Sequence, residues 1–141
     1  MEVTIRELQE SAAALRRLSS NAKIQSTLFF KLARAWQDVV EALKPVETKL
    51  ESLAEDYTEI KQEPGSPGVQ VYKSMSDKTA HRKAVQQIGD EHVDLQRVKD
   101  KIPWSMISEN DKAAKDDAAK LNITPVELVS LAWLIDFEAA E

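Results

Sequence analysis

The sequence contains no cysteine, and this absence excludes several classes of function at once. A chain without thiols has no disulfide framework, no thiolate zinc site and no cysteine nucleophile. Three glycines and five prolines in 141 residues are too few for a turn-rich β protein or a disordered chain. The chain also lacks a signal-peptide pattern and any run of about 18 apolar residues. We therefore expect a soluble, cytoplasmic, mostly helical protein without a membrane span.

The residues that are present have the composition of one folded domain. Apolar residues make up 43% and charged residues 30% of the chain, and its length suits a single domain over residues 1–141. Much of the net charge of −5 comes from residues 102–141, which carry three basic and eight acidic side chains. Because nucleic-acid affinity depends mainly on neutralising phosphates, direct nucleic-acid binding is the least favoured function. A basic or neutral protein partner is favoured instead.

Apolar residues at spacings of three and four predict an all-α helical bundle. Thr4 and Glu7 form a capping-box pattern before the first helix, and Thr124 with Pro125 marks the start of the last one. The last two helices are expected to form a C-terminal helical hairpin. The predicted helices cover residues 5–20, 27–61, 77–101, 109–121 and 125–139.

The longest predicted helix, at 27–61, carries the strongest pattern in the sequence. Its flanking residues are apolar in the first half and charged in the second, which favours a bundle at one end and a coiled-coil arm at the other. The helix at 77–101 would return along this arm as an αα-hairpin. Pro45 removes one backbone hydrogen bond, so either a kink or a restart of the helix is expected there. The heptad stripe consists of Phe29, Leu32, Trp36, Val39, Leu43, Val46, Leu50, Leu53, Tyr57 and Ile60.

The predicted loop at 62–79 separates the two helices of the arm. Two Pro-Gly pairs within residues 64–68 break the helical pattern. Residues 69–72 alternate like a strand, but the sequence shows no partner for them. Residues 63–76 are therefore expected to form a loop or a marginal β-hairpin.

No group of residues has the spacing of a catalytic, cofactor or metal site. His81 and His92 lie three turns apart on one predicted helix, about 16 Å at helical rise, so they cannot share a metal. Neighbouring carboxylates such as Asp116 and Asp117 point to different sides of a helix. The chain contains no glycine-rich phosphate loop and no nucleophile elbow. We expect a protein that is not an enzyme and that binds no cofactor or metal.

Candidate partner-binding residues fall in three places. The segment at 103–107 displays large apolar side chains between two predicted helices, as protein interfaces often do; a lid over the core is the competing role. The other candidates are acidic side chains of the arm and of the C-terminal region. The full set is Trp104, Met106, Ile107, Glu55, Asp56, Glu59, Asp136 and Glu138.

Three helical segments carry a resemblance to a known family: the opening helix at 8–18, the Lys-Leu-Ala-Arg sequence at 31–34 and the Ile-Thr-Pro-Val-Glu-Leu sequence at 123–128. With them the chain resembles short, helical, functionally uncharacterised proteins encoded in phage and prophage genomes. The resemblance implies residence in the host cytoplasm. By analogy with small acidic phage proteins, it also implies a modulator of a host complex such as RNA polymerase, a nuclease or a defence complex. The alternative is a virion structural or assembly protein that self-associates through the coiled-coil seam.

Overall fold

The computed structural model describes residues 1–61, 65 and 68–137, and these residues are mostly helical. The α-helices in this part of the chain are α1 Ile5–Ser19, α2 Ser26–Tyr57, α3 Met75–Asp90, α4 Trp104–Ala113 and α5 Pro125–Ser130, and a 3₁₀ turn covers Asp117–Ala119. The strands are β1 Glu2–Thr4, β2 Thr58–Lys61, β3 Val69–Tyr72, β4 His92–Asp94, β5 Ile102–Pro103 and β6 Ile135–Asp136.

The strands form three two-stranded sheets, so the expectation of an all-α fold is correct only for the greater part of the chain. β1 pairs antiparallel with β4, β2 pairs antiparallel with β3, and β5 pairs parallel with β6. The first and third sheets connect segments that are far apart in the sequence. Strands of two or three residues are too short for an alternating pattern, which explains why the sequence does not reveal them.

The first helix begins at the predicted capping box. The backbone N–H of Glu7 donates to the Thr4 hydroxyl at 3.2 Å, and the backbone N–H of Thr4 donates to the Glu7 carboxylate at 3.0 Å. These two bonds satisfy N–H groups that the first turn of any helix leaves unpaired. α1 buries Leu8, Leu15 and Leu18 against the rest of the molecule.

The long helix α2 runs through Pro45 without a restart. Its 32 residues span about 48 Å at 1.5 Å per residue. Pro45 has no backbone N–H to donate to the Glu41 carbonyl. Because Pro45 is exposed, water can reach that carbonyl instead. The helix ends at Tyr57, before the predicted residue 61, because the backbone of Thr58 is extended and continues into β2.

The arm consists of residues 46–61 and 69–90. β2 and β3 form a hairpin in which Thr58 lies opposite Tyr72, so the strand-like residues 69–72 find their partner at the end of the predicted helix. α3 then returns antiparallel to α2, since the His81 ring contacts the Tyr57 ring and Ile88 packs with Val46. The hairpin of two helices is present, while a coiled coil remains a prediction.

The predicted helix at 77–101 is wrong beyond Asp90. Glu91 is extended, and its carbonyl accepts a hydrogen bond from the Ile5 backbone N–H at 2.9 Å. The following residues form β4 and an irregular segment that places Leu95 and Val98 in the core. Their helix-like spacing does not reflect a helix. Both side chains enter the core from an irregular segment, which contacts with distant residues hold in place.

The predicted helices at 109–121 and 125–139 are also wrong in their bounds. α4 begins at Trp104 and ends at Ala113, and α5 ends at Ser130. After α5 the chain turns, and the residues that follow are buried in an irregular segment and a strand. Because these residues are buried outside a helix, their apolar side chains would cover all sides of the helix that the sequence predicts. The buried residues there are Leu131, Trp133, Leu134 and Ile135. The last two residues of the predicted helix lie outside the described ranges.

The body comprises α1, the first half of α2 through Val39 and the segments from Leu95 to Phe137. It contains the main hydrophobic core, in which residues of α1 and α2 pack against residues 95–135. A smaller cluster of Ile5, Val46 and Ile88 joins the body to the arm. Among the described residues, no helix is long and apolar enough to cross a membrane.

A two-pronged ion pair fixes α5 to α1. The Arg17 guanidinium donates from Nε and from NH2 to the two carboxylate oxygens of Glu127, at 2.8 and 2.6 Å. Hydrogen bonding from Arg17 lowers the pKa of Glu127 from its ordinary 4.5 to about 2. Glu127 is also the third residue of α5 and closes the capping box with Thr124.

Replacing Glu127 with glutamine should remove the ion pair and keep the cap, because glutamine also serves in a capping box. We expect the variant to lose about 1 kcal/mol of unfolding free energy at pH 7. Because the pKa of Glu127 is lower in the folded protein than in the unfolded chain, its ionised carboxylate stabilises the fold at pH values above about 4.5. This contribution is lost as the pH falls towards 2. Urea unfolding at a series of pH values should therefore show the two proteins converging in acid. A gap that stays constant with pH would contradict this assignment.

Candidate functional site

The predicted interface residues of the body are mostly used within the fold. Ile107 is fully buried in the core, and Trp104 and Met106 are half-buried against it on α4. The Trp104 ring lies 5.7 Å from the Phe137 ring. These contacts are those of a lid over the core, the competing role considered for this segment.

The predicted C-terminal acids do not join the other candidates. Asp136 is half-buried in β6, where it lies opposite Pro103, and Glu138 lies outside the described residues. Asp136 is thus placed near Trp104 in the body. The acids of the arm lie elsewhere, since Tyr57 follows Val39 by 18 residues, or about 27 Å along α2.

The three predicted acids of the arm are all exposed at the far end of α2 and in β2. The carboxylates of Glu55, Asp56 and Glu59 have no hydrogen-bond or ion-pair partner among the described residues. Unpaired carboxylates near one end of an elongated element create a local negative potential, which attracts a basic surface. Two lysines lie at the same end: Lys61 is exposed in β2, and Lys73 donates from Nζ to the Asp56 backbone carbonyl at 3.1 Å. The three carboxylates outnumber them, so this end of the arm keeps a modest negative charge that suits a basic partner.

Exposed apolar side chains occur at the same end of the arm. Ile60 is 74%, Val69 58% and Met75 76% exposed. Ile60 lies opposite Gln70 and Val69 lies opposite Lys61, so these two side chains project from opposite faces of the hairpin. Large exposed apolar side chains are enriched at protein interaction sites. We call these three residues, together with Glu55, Asp56 and Glu59, the arm tip.

Three rings hold the hairpin of the arm tip onto α3. The Tyr72 hydroxyl is hydrogen-bonded to Nδ1 of His81 at 2.9 Å. The His81 ring also lies 5.6 Å from the Tyr72 ring and 5.8 Å from the Tyr57 ring. Beside them, the Gln70 amide donates to the Thr58 hydroxyl at 2.7 Å. The hairpin is thus anchored at its base.

The hairpin also has two open edges, since neither β2 nor β3 pairs with a further strand in the described ranges. The backbone N–H of Lys73 donates to the Tyr57 carbonyl at 3.2 Å. Hydrogen-bonded and non-bonded pairs alternate in an antiparallel ladder. The backbone groups of Ile60 and Gln70 therefore point away from the hairpin. An isolated two-stranded hairpin is only marginally stable in water, and an added strand stabilises it.

The two histidines are placed differently from the single helix that the sequence predicts. His81 lies on α3, but His92 lies on β4, where its Nδ1 is 3.2 Å from the Glu2 carboxylate. Within the described part of the chain, no group of three or more histidine, aspartate or glutamate residues could hold a metal ion.

The apolar part of the arm tip is the part that sequence reasoning missed. Ile60 fits the heptad stripe of the long helix, so its exposure on a strand could not be anticipated. The alternation at 69–72 is the one signal that pointed to a hairpin. A second exposed apolar pair, Val126 and Val129 on α5, lies in the region predicted as an all-round apolar helix. It belongs to the body and offers a control surface.

Comparison of the chain with protein-family models, with characterised proteins and with solved structures finds no match in any of the three. The geometry of the arm tip is therefore the basis for assigning a function.

Proposed function

We propose that the protein is a non-enzymatic protein-interaction module that binds a basic segment of its partner through the arm tip. In this proposal it is a phage-encoded protein that acts in the host cytoplasm as a modulator of a host complex. The observation that carries the proposal is the coincidence of three exposed apolar side chains with three unpaired carboxylates at one end of the arm.

Both parts of the surface contribute to binding in a known way. Burial of Ile60, Val69 and Met75 would yield about 25 cal/mol for each Å² of apolar area removed from water. Glu55, Asp56 and Glu59 would mainly raise the association rate and select a basic partner. The open edges of β2 and β3 offer main-chain hydrogen bonds to an extended segment.

The alternative role, a virion protein that self-associates through the heptad seam, has less support. In the arm, the seam residue Val46 is buried against Ile88 of α3, and Leu50 and Leu53 are partly buried beside them. Apolar surface that is covered within one chain is not available to a second copy. The overall charge of −5 likewise weighs against a nucleic-acid partner.

An affinity experiment with a matched control tests the proposal. The arm-tip variant carries Ile60→Thr, Val69→Thr and Met75→Gln, which keep strand and helix propensity while removing apolar area. The control carries Val126→Gln and Val129→Gln on α5, where the side chains are equally exposed. We expect the parent and the control to enrich the same host proteins, and the arm-tip variant to lose them at least tenfold (about 1.4 kcal/mol).

Circular dichroism and thermal melting would first show that both variants remain folded. Equal enrichment by the arm-tip variant and the parent would refute the assignment of the binding surface. Failure of the parent to enrich any protein over an unrelated acidic protein would refute the binding function itself.

A further inference from the structure

Independently of the arm, a small recess in the body gathers unpaired positive charge. Lys31 and Arg34 of α2 form one wall, and the irregular segment that contains Lys99 forms the opposite one. The recess has a volume of about 220 Å³, and Ile102 and Leu134 lie at its base. We call it the basic recess.

Three of the four cations of the basic recess have no acidic partner among the described residues. Lys31, Arg34 and Lys99 make no side-chain ion pair or hydrogen bond with any described residue. The fourth cation of the recess, Arg97, forms ion pairs with Asp38 and Glu41. Three like charges that face one concavity repel one another, and an anion between them relieves that repulsion.

The charge of the recess indicates which anion fits. Asp100 is the one carboxylate in its lining. With Asp38 and Glu41, which pair with Arg97 beside the recess, the four cations outnumber the surrounding carboxylates by one, so the recess keeps a net positive charge. A phosphomonoester carries between −1.5 and −2 charges at about pH 7 and has three strong acceptor oxygens. The guanidinium of Arg34 matches a phosphate in two-pronged geometry, and lysines bind it as point charges.

The size of the recess agrees with this choice. Drug-sized ligands occupy pockets of about 300–1,000 Å³, whereas the basic recess offers about 220 Å³. A single phosphate group with a small substituent fits that room. The walls are polar and charged, and Ile102 and Leu134, which are almost fully buried, lie beneath them.

We propose that the basic recess binds a phosphate group, free or as a monoester, between Lys31, Arg34 and Lys99. The group can belong to a small molecule or stand alone as phosphate, and the two sources differ in whether an apolar substituent adds affinity at the base of the recess. The site lies in the body and does not depend on the role of the arm tip.

Amide NMR titration of the intact protein with inorganic phosphate, phenyl phosphate and phenyl sulfate tests the proposal. We expect phosphate or phenyl phosphate to shift the resonances of residues 31–34 and 97–102, with a Kd of ~1 mM or tighter. Phenyl sulfate carries one charge fewer and should bind several-fold more weakly. Tighter binding of phenyl phosphate than of phosphate would identify a substituted ligand, and equal binding would identify phosphate itself; both outcomes support the site.

The variant Arg34→Gln with Lys99→Gln should weaken phosphate binding at least tenfold (about 1.4 kcal/mol). Lys78→Gln with Arg82→Gln on α3 changes the net charge equally, outside the recess, and should leave binding unchanged. Arg34, Lys99 and Arg82 are exposed and Lys78 is half-buried, and none of the four makes an ion pair among the described residues, so both proteins should melt like the parent. Equal losses of phosphate affinity in the two variants would show that net charge alone explains the binding, and this would contradict the proposal. An absence of resonance shifts around the recess would overturn it as well.

Discussion

Replacing Asp38 with alanine should lower the free energy of unfolding by about 3–5 kcal/mol, because two backbone N–H groups lose their acceptor, at about 1–3 kcal/mol each, and Arg97 loses one of its two carboxylates. Asp38 is only 4% exposed. Its Oδ2 accepts the backbone N–H groups of Arg97 and Val98, both at 2.9 Å, and its Oδ1 accepts the Arg97 guanidinium at 3.0 Å. Since whole domains are stable by only about 5–15 kcal/mol, the loss should be visible as a fall in melting temperature of roughly 10–20 °C.

Glu41 provides the matched control for this prediction. It pairs with the same Arg97 guanidinium, at 2.7 and 2.8 Å, but its side chain is exposed. Glu41→Gln should therefore lower the melting temperature far less than Asp38→Ala does, because exposed ion pairs contribute little to stability. Asp38→Asn keeps one acceptor oxygen and should fall between the two. Similar losses from Asp38→Ala and Glu41→Gln would show that the backbone N–H groups find other acceptors when the carboxylate is gone.

In a separate variant, replacing Trp133 with alanine should lower the free energy of unfolding by about 3–5 kcal/mol. Trp133 is 6% exposed, and its indole N–H donates to the fully buried Ser11 hydroxyl at 3.0 Å. The substitution removes the largest apolar side chain that the segment after α5 places in the core, and it leaves a cavity beside α1. Denaturant unfolding followed by circular dichroism measures the loss.

Two milder substitutions separate the parts of that effect. Trp133→Phe keeps most of the apolar volume and removes the hydrogen bond, so it should cost about 1 kcal/mol from the bond plus a small packing loss. Trp104→Ala removes the same side chain from a half-buried position and should cost less than Trp133→Ala. A Trp104→Ala loss as large as that of Trp133→Ala would mean that α4 contributes more to the core than its exposure indicates.

The helices that the sequence predicts well are those whose signals are local. The capping box of Thr4 and Glu7 marks the start of α1, and the long stripe from Phe29 to Tyr57 marks α2. Each depends on residues three or four positions apart, which the sequence displays directly. The one local clue to the hairpin, the alternation at 69–72, was also visible, although its partner was not.

The parts that the sequence mispredicts depend on contacts between distant segments. Leu95 and Val98 have helical spacing, yet Asp38 captures two backbone N–H groups beside them and holds the segment in an irregular conformation. Similarly, the Ile102 backbone N–H donates to the Leu134 carbonyl at 2.7 Å, and this contact favours a strand where periodicity indicates a helix. Tertiary hydrogen bonds of this kind override the local preference.

The candidate site shows the same division. Glu55, Asp56 and Glu59 could be chosen from the sequence because charge at exposed helix positions is easily recognised. Ile60 could not, because the same residue in a helical seam would be buried. Its exposure follows only from the end of α2 at Tyr57, which a strand partner ten residues further along the chain determines.

The separation between bonded residues has a consequence for how the chain folds as it is synthesised. The hairpin of the arm is held by a hydrogen bond between Tyr72 and His81, which are nine residues apart in the sequence. The hydrogen bond between Ser11 and Trp133, by contrast, joins residues 122 positions apart. Local contacts form quickly, and distant ones form slowly. On a ribosome the arm can therefore assemble once residue 90 has emerged, while the side of α1 that faces Trp133 stays open to chaperones until residue 133 has also emerged.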